Sequence, residues 1–201
     1  RGIEQAEKDN VTAVVIQMDT PGGLDTAMRN IIQKIVNSRV PVVVYVSPSG
    51  ARAASAGLYI TLSAHVAAMA PNTAIGAATP VSLGSEGQAQ EVPDELKQKI
   101  INDAAAYIRS LAESRGRNPE WAERAVREGV SITEQEALRL NVVDMVSPDL
   151  NTLITQLNGR TVTMLDGRTV TLQTANVTVS PVKMRAIETF LYTIADPNIA
   201  F

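Results

Sequence analysis

Residues 11–18 read Val11-Thr12-Ala13-Val14-Val15-Ile16-Gln17-Met18, and Asp19-Thr20-Pro21-Gly22-Gly23 follows at once. The first stretch is a β-branched apolar run of strand length. The second is a turn, beyond which Ile31, Ile32 and Ile35 recur at helical spacing. That is one β-turn-α step, and a second comes directly after it. Pro41-Val42-Val43-Val44-Tyr45-Val46 repeats the buried-strand signature, Ser47-Pro48-Ser49-Gly50 turns the chain, and the small-residue run Ala51-Arg52-Ala53-Ala54-Ser55-Ala56-Gly57 leads into a helix. Residues 66–69 are a further short strand, after which Pro71-Asn72-Thr73 turns the chain and residues 74–78 extend it. Strands that alternate with helices pair in parallel and are covered on both faces, so the expected class is α/β.

Outward from this segment, residues 82–93 are polar, rich in Gly, Ser and Gln, and without periodicity, as expected of a surface loop. A long helix is expected over 94–115, where Leu96, Ile100, Ile101, Ala104, Ala105, Ile108 and Leu111 recur at helical spacing. Thr133-Glu134-Gln135-Glu136 matches a capping box and starts a short helix ending near Asn141. Residues 142–146 read as a strand, and Ser147-Pro148 as the cap and first residue of a helix that Asn158-Gly159 ends. Gly159-Arg160-Thr161-Val162-Thr163 recurs as Gly167-Arg168-Thr169-Val170-Thr171 with Asp166-Gly167 between, a hairpin signal. One more helix is expected from Ser180-Pro181 through Met184, Ile187, Phe190 and Leu191. Residues 1–158 thus form the expected main domain, and 159–201 a hairpin and helix that look surplus to it.

The composition narrows the function. A chain of 201 residues, 45% hydrophobic and 19% charged, can bury a full core. Eighteen basic residues scattered through a chain of net charge −3 offer no stripe for nucleic acid. Cysteine is absent and histidine occurs once, which argues against a zinc site and removes disulfides and thiol nucleophiles. No cofactor is expected. No apolar run approaches the roughly 20 residues that cross a bilayer. The opening, Arg1-Gly2-Ile3-Glu4-Gln5-Ala6-Glu7-Lys8, reads as the later part of an amphipathic helix, and apolar residues become frequent again toward Phe201.

Three places can carry chemistry. Gly22-Gly23, where a buried strand hands over to a helix, can free backbone N–H groups for a ligand or can serve chain closure alone. Ser55 is flanked by Ala53, Ala54, Ala56 and Gly57, so nothing crowds its hydroxyl, and a helix starting there aims its dipole at nearby negative charge. Such a serine is either an acyl nucleophile or a helix cap. A nucleophile needs a base, and His65, ten positions on in an apolar stretch, reads as a structural histidine at the far end of the unit. A lysine can act instead when burial disfavours its charge. Lys99 borders the apolar stripe of the long helix beside Ile100 and Leu96, whereas Lys97 lies roughly 200° around from it.

Taken together, Asp19-Thr20-Pro21-Gly22-Gly23, Gly50-Ala51-Arg52-Ala53-Ala54-Ser55-Ala56-Gly57, Met69-Ala70-Pro71 and Ile75-Gly76-Ala77 resemble the N-terminal protease domain of the NfeD family. These are membrane-bound, ClpP-class serine proteases often associated with stomatin, and the similarity runs from about Val11 to Val146. It implies a ClpP/crotonase-like stack of ββα units, extended here by the C-terminal β-hairpin and helix. Ser55 would be the nucleophile and Lys99 the base, since Lys99-Ile100, Asn102 and Tyr107-Ile108-Arg109-Ser110-Leu111-Ala112 are similar to the family's base-bearing helix. The backbone N–H groups of Gly23 and Ala56 would form the oxyanion hole. Gly22, Thr79 and Pro80 would flank an extended substrate. ClpP carries a histidine where this sequence has Ile75-Gly76-Ala77-Ala78-Thr79-Pro80, so a Ser-Lys dyad is implied.

The same resemblance implies an endopeptidase for apolar segments, with the C-terminal region of a stomatin-like membrane protein as substrate. It further implies an extracytoplasmic domain, held to a membrane by segments outside this chain. A homodimer or larger oligomer is expected, because the helix from Ser180 and the hairpin at Asp166-Gly167 look surplus to the core and such proteases commonly bury their sites at subunit contacts. Family members usually carry a strand ahead of the first helix, and longer ones continue into transmembrane helices and a small β-barrel. Two rival readings remain: a crotonase-type acyl-CoA enzyme, and a catalytically idle peptide-binding scaffold.

Overall fold

The computed structural model describes residues 1–81 and 93–182. The polar loop expected over 82–93 lies almost wholly outside these residues, as does the helix expected after Ser180. Helix α1 (Gly2–Lys8) leads into β1 (Val14–Met18), α2 (Asp25–Val36) and β2 (Val42–Val46), the two β-turn-α steps of the opening sequence. A short strand β3 (Arg52–Ala54) then precedes α3 (Ala56–Ser63), β4 (Val66–Met69) and β5 (Ala74–Gly76). After these come α4 (Asp94–Ser114), α5 (Pro119–Arg127), β6 (Ser131–Thr133), α6 (Glu134–Arg139), β7 (Met145–Val146), α7 (Leu150–Leu157) and the hairpin β8 (Thr161–Thr163) and β9 (Thr169–Thr171).

The main sheet is parallel, in the order β1-β2-β4-β7, with Val14 opposite Val42 and Val43 opposite Val66. A second sheet, β3-β5-β6, is parallel at β3-β5 and antiparallel at β5-β6. Every residue of β2 is buried, and its side chains alternate between two cores as the period of a strand requires. Val42, Val44 and Val46 join Ile32, Ile35, Leu58, Leu62, Ile108 and Val126 on one face. Val43 and Tyr45 face Leu153, Leu157, Val162, Met164 and Leu172 on the other. The hairpin therefore covers the second face of the sheet; it is not surplus to the core.

Several local expectations are met and several are corrected. The capping box is present at α6, with Thr133 Oγ1 accepting from Glu136 N–H and the Glu136 carboxylate accepting from Thr133 N–H. The cap of α7 is Asp149 rather than Ser147, because the Asp149 carboxylate accepts from Thr152 N–H at 2.8 Å. Residues 52–54, in the small-residue run ahead of the helix, form strand β3, because they pair with residues 74–76 and Ala53 bridges to Thr20. Only 145–146 of the strand expected over 142–146 pair with β4. Helix α5 was not expected; Asn118 caps it, accepting from Trp121 N–H, and Pro119 occupies its first position.

Candidate active site

Strand β1 ends at Met18, and the turn after it is tied to β3. Thr20 N–H donates to Arg52 O at 2.8 Å, and Ala54 N–H donates to Thr20 O at 3.1 Å. The Thr20 hydroxyl then closes the turn, accepting from Gly22 N–H at 3.1 Å and donating to Gly22 O at 2.9 Å. One residue beyond β3 the chain reaches Ser55, whose N–H donates to Gly76 O, and helix α3 begins. Helix α3 is hydrophobic all round and buried along its length. Its far end is anchored by Arg117, which is 3% exposed and donates to Leu62 O, Ala64 O and the Asp144 carboxylate. A cation there complements the helix dipole, so one helix is pinned at both ends with Ser55 at its N-terminus.

Ser55 occupies the N-cap position, yet its side chain makes no capping bond. Its backbone sits at φ 53°, ψ −118°, a region that L residues adopt at a strain of roughly 1–3 kcal/mol and that clusters at functional sites. Two glycines make room for it. A Cβ on Gly22, itself at φ +136°, would lie 2.9 Å from Ser55 Cβ and 3.3 Å from Ser55 Oγ. A Cβ on Gly57 would lie 2.7 Å from the Thr20 methyl group and 3.3 Å from Ala53 Cβ, so that glycine lets α3 close onto the turn. Among the described residues, neither Gly23 N–H nor Ala56 N–H has an acceptor; the first amides of a helix have none within it.

A cleft of about 640 Å³ opens over this point. Ser55, Ala56 and Gly23 line it from one side, Pro80 and Val81 from another, and Lys99, Ile100 and Asp103 of α4 from a third. Met28, Tyr59 and Ala104 give it an apolar floor. Of the residues named from sequence, it brings together Ser55, Lys99, Gly23, Ala56 and Pro80. Gly22 lies just beneath Ser55, and Thr79 sits against Gly129 next to Pro80. Lys97 does not line the cleft.

The environment of Lys99 differs from expectation. The sequence places it beside apolar neighbours that would bury it, but Lys99 is exposed, Leu96 is 47% exposed and Ile100 is half-buried. Single-chain burial of α4 stops short of that turn, because the residues buried on it run from Ala104 onward. His65 is buried at 7% exposure beyond the opposite end of α3. Its Nδ1 accepts from Val42 N–H at 3.1 Å, and burial, helped by the Arg115 and Arg117 charges, pushes its pKa down to about 4. It is a neutral structural group. The Tyr59 phenol stands on the cleft floor, donates to Ala104 O and is held neutral by burial.

Sequence reading did not single out Arg29, Asp25 or Tyr59. Arg29 bridges α2 to α4, donating to Asp25 at 2.9 Å and to Asp103 at 2.8 Å, with its guanidinium 4.5 Å from the centre of the Tyr107 ring. A signal was present in the spacing: Arg29 follows Asp25 by one helical turn, as Asp103 follows Lys99.

A parallel α/β sheet whose small companion sheet delivers an uncapped serine to a helix N-terminus, across a cleft from a lysine, defines a mixed α/β protein with a serine and a lysine sharing one cleft. Within that class the chain belongs to the NfeD1b N-terminal domain family, whose model matches residues 1–160. It is 43% identical, over 100% of its length, to the membrane-bound protease PH1510 of Pyrococcus horikoshii, of which it spans 45%. It is 31% identical over 122 residues to the membrane protein NfeD1b of Bacillus subtilis, covering 61% of this chain and 25% of that protein. The chain thus spans less than half the length of either curated relative. Among solved structures, it matches the membrane-bound stomatin-specific protease 1510-N, as a lysine-to-alanine mutant with a substrate peptide, at TM-score 0.88 and 42% identity. That match covers 96% of this chain and 88% of the other. The 1510-N protease from Pyrococcus horikoshii, specific for a stomatin homolog, matches at TM-score 0.81 and 40% identity, covering 96% and 87%.

Proposed function

We propose that this domain is a serine endopeptidase in which Ser55 is the nucleophile and Lys99 the general base. The observation that carries this is the cleft itself: it is shared by a strained, uncapped serine at a helix N-terminus and by one lysine of the facing helix. The neutral Lys99 amine takes the Ser55 hydroxyl proton as Oγ attacks the scissile carbonyl carbon. The C–N bond then breaks, the leaving amine takes that proton from Lys99, and water hydrolyses the acyl-enzyme by the same route. Gly23 N–H and Ala56 N–H stabilise the oxyanion, each donor lowering the barrier by on the order of 3 kcal/mol.

The substrate is an extended apolar segment lying along Gly22-Gly23 and Thr79-Pro80, and it supplies the desolvation that the exposed Lys99 lacks in the single chain. The apolar floor of Met28, Tyr59 and Ala104 suits such a segment. The names of the relatives support the C-terminal region of a stomatin-like membrane protein as the substrate class. The protease unit includes the hairpin after residue 158, which covers the second face of the main sheet. The domain works as a homo-oligomer on the extracytoplasmic side of a membrane. Among the described residues no helix is long and apolar enough to cross one.

The test combines a fluorophosphonate label with a library of apolar peptides read by mass spectrometry. The wild-type chain is expected to label at Ser55 and to cleave; Ser55→Ala and Lys99→Ala are expected to do neither. Turnover of a CoA thioester, or tight peptide binding with no product, would replace this reading with one of its rivals.

A further inference from the structure

We propose that Arg29 is a positioning residue of this site, which keeps Lys99 available as a base by holding Asp103 in an ion pair of its own. The proposal rests on the Ser55–Lys99 reading above and adds to it a residue on a different helix.

The geometry begins with α4. Lys99 and Asp103 are one turn apart on the same face, where Cβ atoms lie roughly 5–6 Å from each other, and both line the cleft. A free carboxylate at that distance draws the ammonium form of a lysine and opposes its loss of a proton. Asp103 is not free. One nitrogen of the Arg29 guanidinium donates to Asp103 Oδ2 at 2.8 Å, while Nε donates to Asp25 Oδ2 at 2.9 Å. The planar group is held 4.5 Å from the Tyr107 ring centre, and Tyr107 in turn stacks on Tyr59 with centroids 6.0 Å apart. A guanidinium stays charged throughout the range in which a lysine titrates, so the arrangement does not loosen as the base loses its proton.

The charges around Lys99 can be counted by element. On its own helix are Glu95 one turn before and Asp103 one turn after; from α2 come Asp25 and Arg29; from α3 and α4 come the phenols of Tyr59 and Tyr107. With Arg29 present, Asp25, Asp103 and Arg29 sum to one negative charge. Without it they sum to two, and Asp103 is released toward Lys99. Both changes favour the ammonium form. Glu95, Tyr59 and Tyr107 are unaltered by the substitution and cancel in the comparison.

The experiment follows the rate of fluorophosphonate labelling at Ser55 against pH, from 6 to about 10.5, in the 201-residue chain. In Arg29→Gln the ascending limb is expected to move up by about half a pH unit, giving about threefold slower labelling below the limb and an unchanged plateau above it. Arg29→Gln combined with Asp103→Asn should return the limb to its wild-type position or below. Asp103→Asn alone should move it down, and Arg29→Lys should leave most of the effect in place. A limb that stays put in Arg29→Gln, with a uniform loss at every pH, would reduce Arg29 to a tether between α2 and α4 and overturn the proposal. So would an upward shift in Asp103→Asn, which remains readable if Arg29→Gln does not fold. Lys99→Ala separates the two levels of inference. If it labels like wild type, the dyad fails; if it loses the limb while Arg29→Gln does not move it, only the role of Arg29 fails.

Discussion

Acidification should destabilise this fold through one residue that the chemistry does not use. His65 is 7% exposed, and its pKa is pushed from 6.5 down to about 4, first by burial and then by the Arg115 and Arg117 guanidinium groups. The folded protein therefore refuses a proton that the unfolded chain accepts. Above pH 6.5 both states hold neutral histidine and stability does not change with pH on this account. As pH falls from 6.5 toward 4 the unfolded state gains the proton first, and stability declines, levelling off once the folded state also binds it. A difference of about 2.5 units corresponds to about 3 kcal/mol lost across that window. Urea unfolding at pH 7.5, 6, 5 and 4, in wild type and His65→Gln, isolates the contribution, because carboxylates titrate equally in both. The gap between the two proteins should narrow or invert by about 3 kcal/mol toward pH 4. Parallel stability curves would refute the argument, and loss of Ser55 labelling in His65→Gln at pH 8, with the fold intact, would return histidine to the catalytic question.

Other substitutions test the site and its support. Gly22→Ala should lower Ser55 labelling by at least tenfold with the fold retained, since its Cβ would press on Ser55 Cβ at 2.9 Å and φ +136° disfavours alanine; labelling rate and circular dichroism decide it. Ser55→Gly should abolish labelling while raising stability by about 1 kcal/mol, because glycine tolerates φ 53°, ψ −118° without strain; a lower unfolding midpoint would contradict the strain. Lys99→Ala should cost nearly as much activity as Ser55→Ala, and Lys97→Ala little, as one lines the cleft and the other does not. Arg117→Ala should destabilise by about 3 kcal/mol, measured by chemical unfolding, by leaving the Leu62 and Ala64 carbonyls without their donor and the Asp144 carboxylate with only Ala67 N–H and Arg160.

The legible part of the fold was the part governed by local periodicity. The run at 42–46 is apolar on consecutive positions because both faces of the parallel sheet are covered there, and the β-branched run at 14–18, half-buried at the sheet edge and broken by the exposed Gln17, still reads as a strand without any tertiary information. The capping box and the repeated Gly-Arg-Thr-Val-Thr hairpin are likewise short-range signals. What escaped depends on partners distant in sequence. Ala53 is in a strand because Ile75 and Thr20 run beside it, and nothing in Arg52-Ala53-Ala54 announces that. The hairpin looked dispensable because its few apolar residues, Val162, Met164 and Leu172, acquire meaning only opposite Val43 and Tyr45.

The candidate site divides along the same line. Ser55 stands out in sequence because crowding must be avoided around it, and small residues on both sides are the visible trace of that demand. The reason lies in three dimensions. Thr20 in the turn of the first β-turn-α step is bonded to β3 of the second, so Gly22 is brought under Ser55 by the pairing of two segments about thirty residues apart. A glycine pair after one strand and a small-residue run after the next are therefore two halves of one packing constraint. The base was legible only as a type. A lysine on the apolar border of α4 suggested burial, yet that border is defined by Ala104, Ala105, Ile108 and Leu111 further along the helix, and the turn bearing Lys99 projects past them into the cleft. An exposed lysine acts as a base only if its environment is completed by substrate and if nearby carboxylates are otherwise engaged. The Arg29–Asp103 pair meets the second condition within this chain, which makes the pH limb of Arg29→Gln the measurement on which the electrostatics of the site turns.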